Sequence, residues 1–284
     1  MDEISVIGRA RRIVGQLTSA PIDVMALAPS HGFEVRESDL LASGEAGNTF
    51  SKGGKHYIVV NKNDDPYRRR FTVLHEIAHH LLGLPSNHGA KIHSNELERF
   101  SGRPIEERLC DVFAAECLVP SHLLLPLVSE EAFSVDALHR LSDHFQASRP
   151  CVGASFARAS ADLVAYVFAE RGKVQNVIPS SSLRDRRIFI QSGVALPMAS
   201  AAAKCLSSGT TFETVDLDAT DWSSSDAADA FCCYEEAFHL RAWKQTLSLI
   251  TFERVGRPQS YRRETDESEE LLPELTGHLP WPKR

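Results

Sequence analysis

At 284 residues and 43% hydrophobic content, the chain has material for one large domain or two to three small ones. A mean hydropathy of −0.21, no apolar run of about 18 residues and no basic-then-apolar N-terminal pattern point to a cytoplasmic protein with no membrane segment. A net charge of −7 argues against a dominant nucleic-acid surface, and six cysteines (Cys110, Cys117, Cys151, Cys205, Cys232, Cys233) without framework spacing read as reduced, buried thiols.

Residues 1–30 hold two helical patterns, the second starting near Pro21, a residue suited to a first helical turn. Phe33-Glu34-Val35 reads as a short strand, and the Gly- and Ser-rich region from Ala42 to Lys55 as turns around a weak strand. Tyr57 to Asn61 is β-branched and compact, a firm strand. Asp64-Asp65-Pro66 marks the turn into a helix that opens on Arg68, Arg69 and Arg70, read as a solvated basic end.

That helix carries His75-Glu76-Ile77-Ala78-His79, set among Phe71, Leu74, Ile77, Ala78, Leu81 and Leu82 at helical spacing, with Gly83 and Pro85 as stop signals. Positions i and i+4 lie about 6 Å apart along a helix and about 40° apart in rotation, so His75 and His79 can place two imidazole nitrogens on one cation. Glu76 is rotated about 100° from His75, beside such a cation, where a general base for water would stand. His80 is rotated away and reads as a surface or supporting residue.

A catalytic zinc site needs a third protein ligand and an open position. A third His six residues after the second is excluded, because Pro85 stands there and Leu82 replaces the required Gly. The alternative is a carboxylate on a later helix, and residues 106–120 offer one, with Leu109, Val112, Phe113 and Leu118 apolar and Pro120 as the stop. Glu107 and Asp111 share a face at i, i+4, so Glu107 would complete the site and Asp111 would orient an imidazole. Glu106 is the rival, with Cys110 where its supporting acid would be. The loop of residues 84–105 contains His88, His93, Glu96 and Glu98; either histidine is a further candidate ligand or transition-state donor, and a loop of this length reads as a lid. Cys110 reads as a buried apolar thiol. If the strand ending at Asn61 has a free edge, it could hold an extended peptide through Val59 and Asn61; otherwise it is an ordinary sheet strand.

Three stretches together resemble the ImmA/IrrE family of bacterial metallopeptidases: Tyr57-Ile58-Val59-Val60-Asn61, Arg70 through His79, and Glu107 through Pro120. Pro21-Ile22-Asp23-Val24 with Ala26-Leu27-Ala28 also resembles the family's N-terminal helix, so the resemblance covers roughly the first 120 residues. It implies a zinc-dependent, site-specific endopeptidase acting on a regulatory protein, such as a helix-turn-helix repressor or an antitoxin-like regulator, in a stress or mobile-element response.

Farther along, Ser134 to Phe145 is a capped amphipathic helix, and Gln146-Ala147-Ser148 turns into a second helix carrying Val152, Phe156 and Ala159. The pair reads as a helix-turn-helix-like packing module; with only Arg149 and Arg158 on the second helix, DNA is not its expected partner. After Ala161 the pattern becomes strand-like. Leu163–Ala169 and Val174–Ile178 flank a hairpin signal, with further strands expected at Ile188–Ile190, Thr211–Leu217, Phe231–Phe238 and Thr246–Phe252 and a helix from Met198 to Leu206. The charged, Pro-rich tail from Gly256 carries Leu271, Leu272, Leu275, Leu279 and Trp281, which suggest that part of it packs back.

The expected fold class is α+β in three parts: a zincin-like peptidase domain (1–127), the helical module (128–161), and a mainly antiparallel domain with its tail (162–284). The third part resembles the GAF-like domain of some family members, and it would either sense a small-molecule signal or partner or serve as a scaffold or dimerisation domain. One zinc per chain is expected, with manganese or iron as the other metals such a site accepts. The reading from a different class is a non-catalytic, metal-binding transcriptional or partner-binding regulator; Glu76, which a structural metal site does not need, weighs against it.

Overall fold

A computed structural model describes residues 1–41, 45–85, 92–93 and 104–255. Two helices open the chain. In α1 (Glu3–Val14) the Asp2 carboxylate accepts from the Ser5 N–H at 2.9 Å, and Val6, Ala10 and Val14 turn inward. The second, α2 (Val24–Ser30), begins later than Pro21, because Asp23 is the residue that caps it, accepting from Ala26 N at 2.9 Å.

The first sheet has the order β1-β3-β2-β4, built from β1 (Phe33–Ser38), β2 (Glu45–Lys52), β3 (Lys55–Asn61) and β4 (Ile92–His93). β1 runs parallel to β3, and β2 is antiparallel to both β3 and β4. The stretch read as turns around a weak strand therefore holds an eight-residue strand. Gly53 and Gly54, at φ of 59° and 76°, make the tight turn that sets the Lys52–Lys55 register.

Over this sheet lies α3 (Pro66–Leu82). Asp65 caps it by accepting from Tyr67 N, Pro66 opens it, and Gly83 closes it at φ 64°. Contact with β2 is tight at Gly47, where a Cβ would stand 2.8 Å from the Thr72 side chain and 2.7 Å from the Val59 carbonyl. α4 (Ile105–Leu118) packs against both α3 and α1, and α5 (Ser121–Val128) follows Pro120. The arginines at the start of α3 do not form a solvated end. Arg68 is buried beside Asp64 at 3.6 Å, Arg69 pairs with Glu37, and Arg70 donates to the Ile22 carbonyl at 2.8 Å. Each guanidinium has thus found an oxygen on a neighbouring segment.

Next come α6 (Val135–Phe145), capped by Ser134, and α7 (Arg149–Ala159), capped by Ser148, with Gln146 left-handed between them. The remainder is β5 (Val164–Glu170), β6 (Lys173–Pro179), α8 (Ser181–Asp185), α9 (Ala201–Ser208), β7 (Phe212–Asp218), α10 (Ala219–Trp222), β8 (Phe231–Leu240) and β9 (Gln245–Arg254). These strands form a second sheet in the order β6-β5-β9-β8-β7, antiparallel in the β5–β6, β5–β9 and β7–β8 pairs. Ile188–Ile190 is not a strand: Ile188 is buried and Phe189 exposed, but only Ile190 makes an isolated bridge, to Ser223. The helix expected from Met198 starts at Ala201, where Ser200 supplies the cap.

Met1–Glu253 cluster as one unit; of the second, Arg254–Arg284, only the first two residues are described. Two cores meet at the second sheet. Tyr166 and Phe168 of β5, with Leu247 and Leu249 of β9, join the helical core, while Ala165, Val167, Ile250 and Phe252 face a separate core under α9 and Trp222. Period-two alternation in strands buried on both faces produces this division. α7 reaches the sheet through Gly153, where a Cβ would sit 2.5 Å from the Tyr166 ring. The fold is mixed α and β, with ten α-helices and two sheets among the described residues. No single described helix is long and apolar enough to cross a membrane. All six cysteines are free and five are buried; burial pushes the Cys151 and Cys233 thiols up to about 12.

Candidate active site

From Thr72 to His79 every residue of α3 is buried, so two histidines and a glutamate lie inside the protein and need partners there. The crossing of α3 and α4 supplies them. His75 Nδ1 stands 2.9 Å from Asp111 Oδ1, and His75 Nε2 3.1 Å from Glu107 Oε2. His79 Nε2 is 3.1 Å from His75 Nε2 and 3.4 Å from Glu107 Oε2, and its Nδ1 faces the Leu84 carbonyl at 3.4 Å just past the helix end. Glu107 is fully buried, whereas Glu106, one position earlier, is half-exposed. His80 is exposed and packs edge-on to Phe33. His88 lies outside the described residues, as does the His93 side chain.

A carboxylate and a carbonyl accept hydrogen bonds, so each imidazole has its Nδ1 proton directed away from the other ring. With both rings neutral in that tautomer, two Nε2 lone pairs and a carboxylate oxygen converge on one place. Bonds of about 2.0–2.1 Å in a tetrahedral zinc site put its donors about 3.3–3.4 Å apart, close to the triangle seen here. His75, His79 and Glu107 are the group among the described residues that could hold a metal ion. In the absence of a cation a proton takes its part. Burial disfavours charge on His75, but hydrogen bonds to Asp111 and Glu107 outweigh it and raise its pKa from 6.5 to about 9.

Glu76 stays outside this triangle. It is 4% exposed and its Oε2 accepts a hydrogen bond from Thr49 Oγ1 of β2. Thr49 had no local sequence signal: it sits in the Gly- and Ser-rich stretch and reaches Glu76 only because the hairpin register brings β2 over α3. The same topology removes Val59 and Asn61 as edge contacts. β3 is interior, paired with β1 on one side and β2 on the other, so its backbone groups are committed to ladders. Asn61 is buried and its side chain accepts from Asn63 N at 3.0 Å. From Thr49 onward the outer edge of β2, beside Glu76, has no strand paired with it among the described residues.

The family described as the IrrE N-terminal-like domain, Peptidase_M78, matches residues 28–153, a span that contains all of these residues. Residues 28–153 thus match the ImmA/IrrE family. The radiation response metalloprotease IrrE of Deinococcus deserti is 32% identical to this chain over 111 residues, which are 39% of this chain and 39% of that protein. The chain thus spans well under half of that relative. A Mycobacterium tuberculosis transcriptional regulator of known structure superposes with a TM-score of 0.53, covering 88% of this chain and 76% of that one at 12% identity. Its similarity is one of fold, and it extends beyond the IrrE-like segment into the second sheet.

Proposed function

We propose that the protein is a zinc-dependent, site-specific endopeptidase. The observation that carries this reading is the buried convergence of His75, His79 and Glu107 with an acid, Glu76, one step round the helix and outside the ligand set. A divalent cation bound by the three would supply Lewis acidity, polarising a scissile carbonyl and lowering the pKa of a water toward about 7. The chain's own residues do the rest. Asp111 holds the His75 ring in one tautomer and orientation, as Leu84 does more weakly for His79. Thr49 steadies Glu76, which takes a proton from the attacking water and returns it to the leaving amine. The outer edge of β2 receives the substrate as an added strand, bringing its backbone past Glu76.

The substrate in this reading is a regulatory protein, such as a helix-turn-helix repressor, cut in a stress or mobile-element response; the Deinococcus deserti relative is itself a radiation response metalloprotease. Residues 1–127 form the peptidase part, 128–161 a helix-turn-helix-like module, and 162–284 a GAF-like domain with its tail. The test is bound metal per chain in wild type, Glu107→Ala and Glu76→Gln. About one zinc in wild type and Glu76→Gln, with little in Glu107→Ala, is expected, and Glu76→Gln should then lose cleavage by about 10²–10⁴-fold. A wild-type chain that holds no metal after reconstitution with zinc or manganese would overturn the proposal.

A further inference from the structure

Behind the Asp111 side of α4 lies a cavity of about 180 Å³ that the proposed hydrolysis does not use. It runs along the faces of α4 and α7, with residues of α1, α3 and β6 also lining it. Its volume is comparable with the roughly 150 Å³ cavity that admits a benzene ring in another protein. Much of the wall is apolar, from Phe71, Val112, Pro150, Ala154 and Ile178. The charged lining is unbalanced: Arg68, Arg108 and Arg158 against Glu3 and Asp111.

The arginines differ. Arg68 has Asp64 at 3.6 Å and Arg108 has Glu3 at 3.6 Å. Arg158 has no ion pair or hydrogen bond among the described residues, although it sits in the last turn of a helix otherwise buried along this face. Arg158 is exposed, and it lines both this cavity and an adjoining one of about 270 Å³. The protein walls nevertheless desolvate it enough to pull its pKa below the ordinary guanidinium value, with Glu3 acting in the opposite direction. A guanidinium that lines a partly apolar cavity with no described carboxylate in ion-pair contact is free to meet an anion there.

We infer that this cavity binds a small organic anion, an apolar body carrying one carboxylate or similar group, with Arg158 as its counter-charge. Occupancy is felt at the histidines because Asp111, which lines the cavity, also bonds His75 Nδ1. A ligand that shifts Asp111 changes the orientation of that ring, and metal affinity changes with it. Metal then alters ligand affinity by the same factor.

Calorimetric titration of the full chain with benzoate, and with benzyl alcohol as the uncharged ring of similar size, tests the inference. Saturable benzoate binding is expected, with benzyl alcohol about tenfold weaker or more. Arg158→Gln, at a solvent-accessible position where folding is not at stake, should weaken benzoate about tenfold and leave benzyl alcohol unchanged. Ala154→Phe, which fills the cavity, should abolish both. No saturable benzoate binding up to about 10 mM, or equal binding in wild type and Arg158→Gln, overturns the site. Zinc affinity read by chelator competition should change about threefold or more with benzoate bound; an unchanged affinity refutes the link through Asp111. None of these readouts uses peptide cleavage, so their outcome is separate from that of the peptidase proposal.

Discussion

Two carboxylates among the described residues, Glu235 and Glu107, are 0% exposed, and their surroundings are opposite in kind. Glu235, on β8 in the second sheet, accepts from Ala201 N (2.9 Å), Ala202 N (3.1 Å), Trp222 Nε1 (3.2 Å) and Ser248 Oγ (2.7 Å). Every neighbour is a donor, and the charge is spread over α9, α10 and β9. Burial still raises its pKa above the ordinary carboxylate value, with the Ser248, Ala201, Ala202 and Trp222 hydrogen bonds opposing. Glu107 instead faces the Nε2 atoms of His75 and His79, which can meet it with a proton or, around a cation, with lone pairs. A buried acid ringed by donors is a strut. One that meets lone pairs calls for a cation, and the two are distinguished by the sign of their neighbours, since both are 0% exposed.

Breaking the strut gives the largest effect. Glu235→Ala leaves several buried donors without an acceptor and should lower unfolding free energy by about 3–5 kcal/mol in chemical denaturation, with zinc affinity unchanged. A next, smaller effect belongs to the metal-free protein. Because His75 is raised from 6.5 to about 9, the folded state holds its proton more tightly than the unfolded state. Its contribution is complete below pH 6.5 and lost as pH rises through about 9, at most roughly 3 kcal/mol. Thermal melts of metal-free protein should therefore weaken across that window, and zinc-loaded protein should not share the trend. Smallest is Asp111→Asn, expected to reduce zinc affinity by about 10–100-fold in chelator competition without loss of fold. An unaffected Asp111→Asn would remove its role in holding His75.

How much of this was legible in the sequence follows from how local each feature is. Asp65, Pro66 and Gly83 bound the α3 helix within a few residues of where they act, and helical periodicity alone puts His75 and His79 on one face. The i, i+4 pair Glu107 and Asp111 is equally local, although which acid of α4 meets the histidines depends on how two helices cross. The hairpin at residues 170–173 was legible from its turn residues and the β-branched runs around it. By contrast, β2 lacks β-branched enrichment, and its existence depends on β3 and on a two-glycine turn. The interior position of β3 follows from the parallel addition of β1, a long-range pairing with no signal near Val59 or Asn61. Arg68, Arg69 and Arg70 look alike in sequence; Arg68 meets the nearby Asp64, whereas Arg69 and Arg70 reach oxygens of distant segments, at Glu37 and Ile22. Arg158 reads as a sparse basic residue on a helix; only packing against α4 makes it the wall of a cavity.

β5 and β9 serve both cores at once, with alternate residues turned to the helices and to the far layer. This sharing limits how such a chain can diversify. A recombination event that replaced everything after residue 161 would have to deliver, at alternate positions of two strands, bulk matching Tyr166, Phe168, Leu247 and Leu249, or leave the helices around Gly153 without a floor. Changes on the opposite face, at Ala165, Val167 or Ile250, meet no such demand from the IrrE-like segment. The two faces of the same strands are therefore constrained by different partners, the inner one by the helices of the IrrE-like segment and the outer one only by its own core under α9 and Trp222.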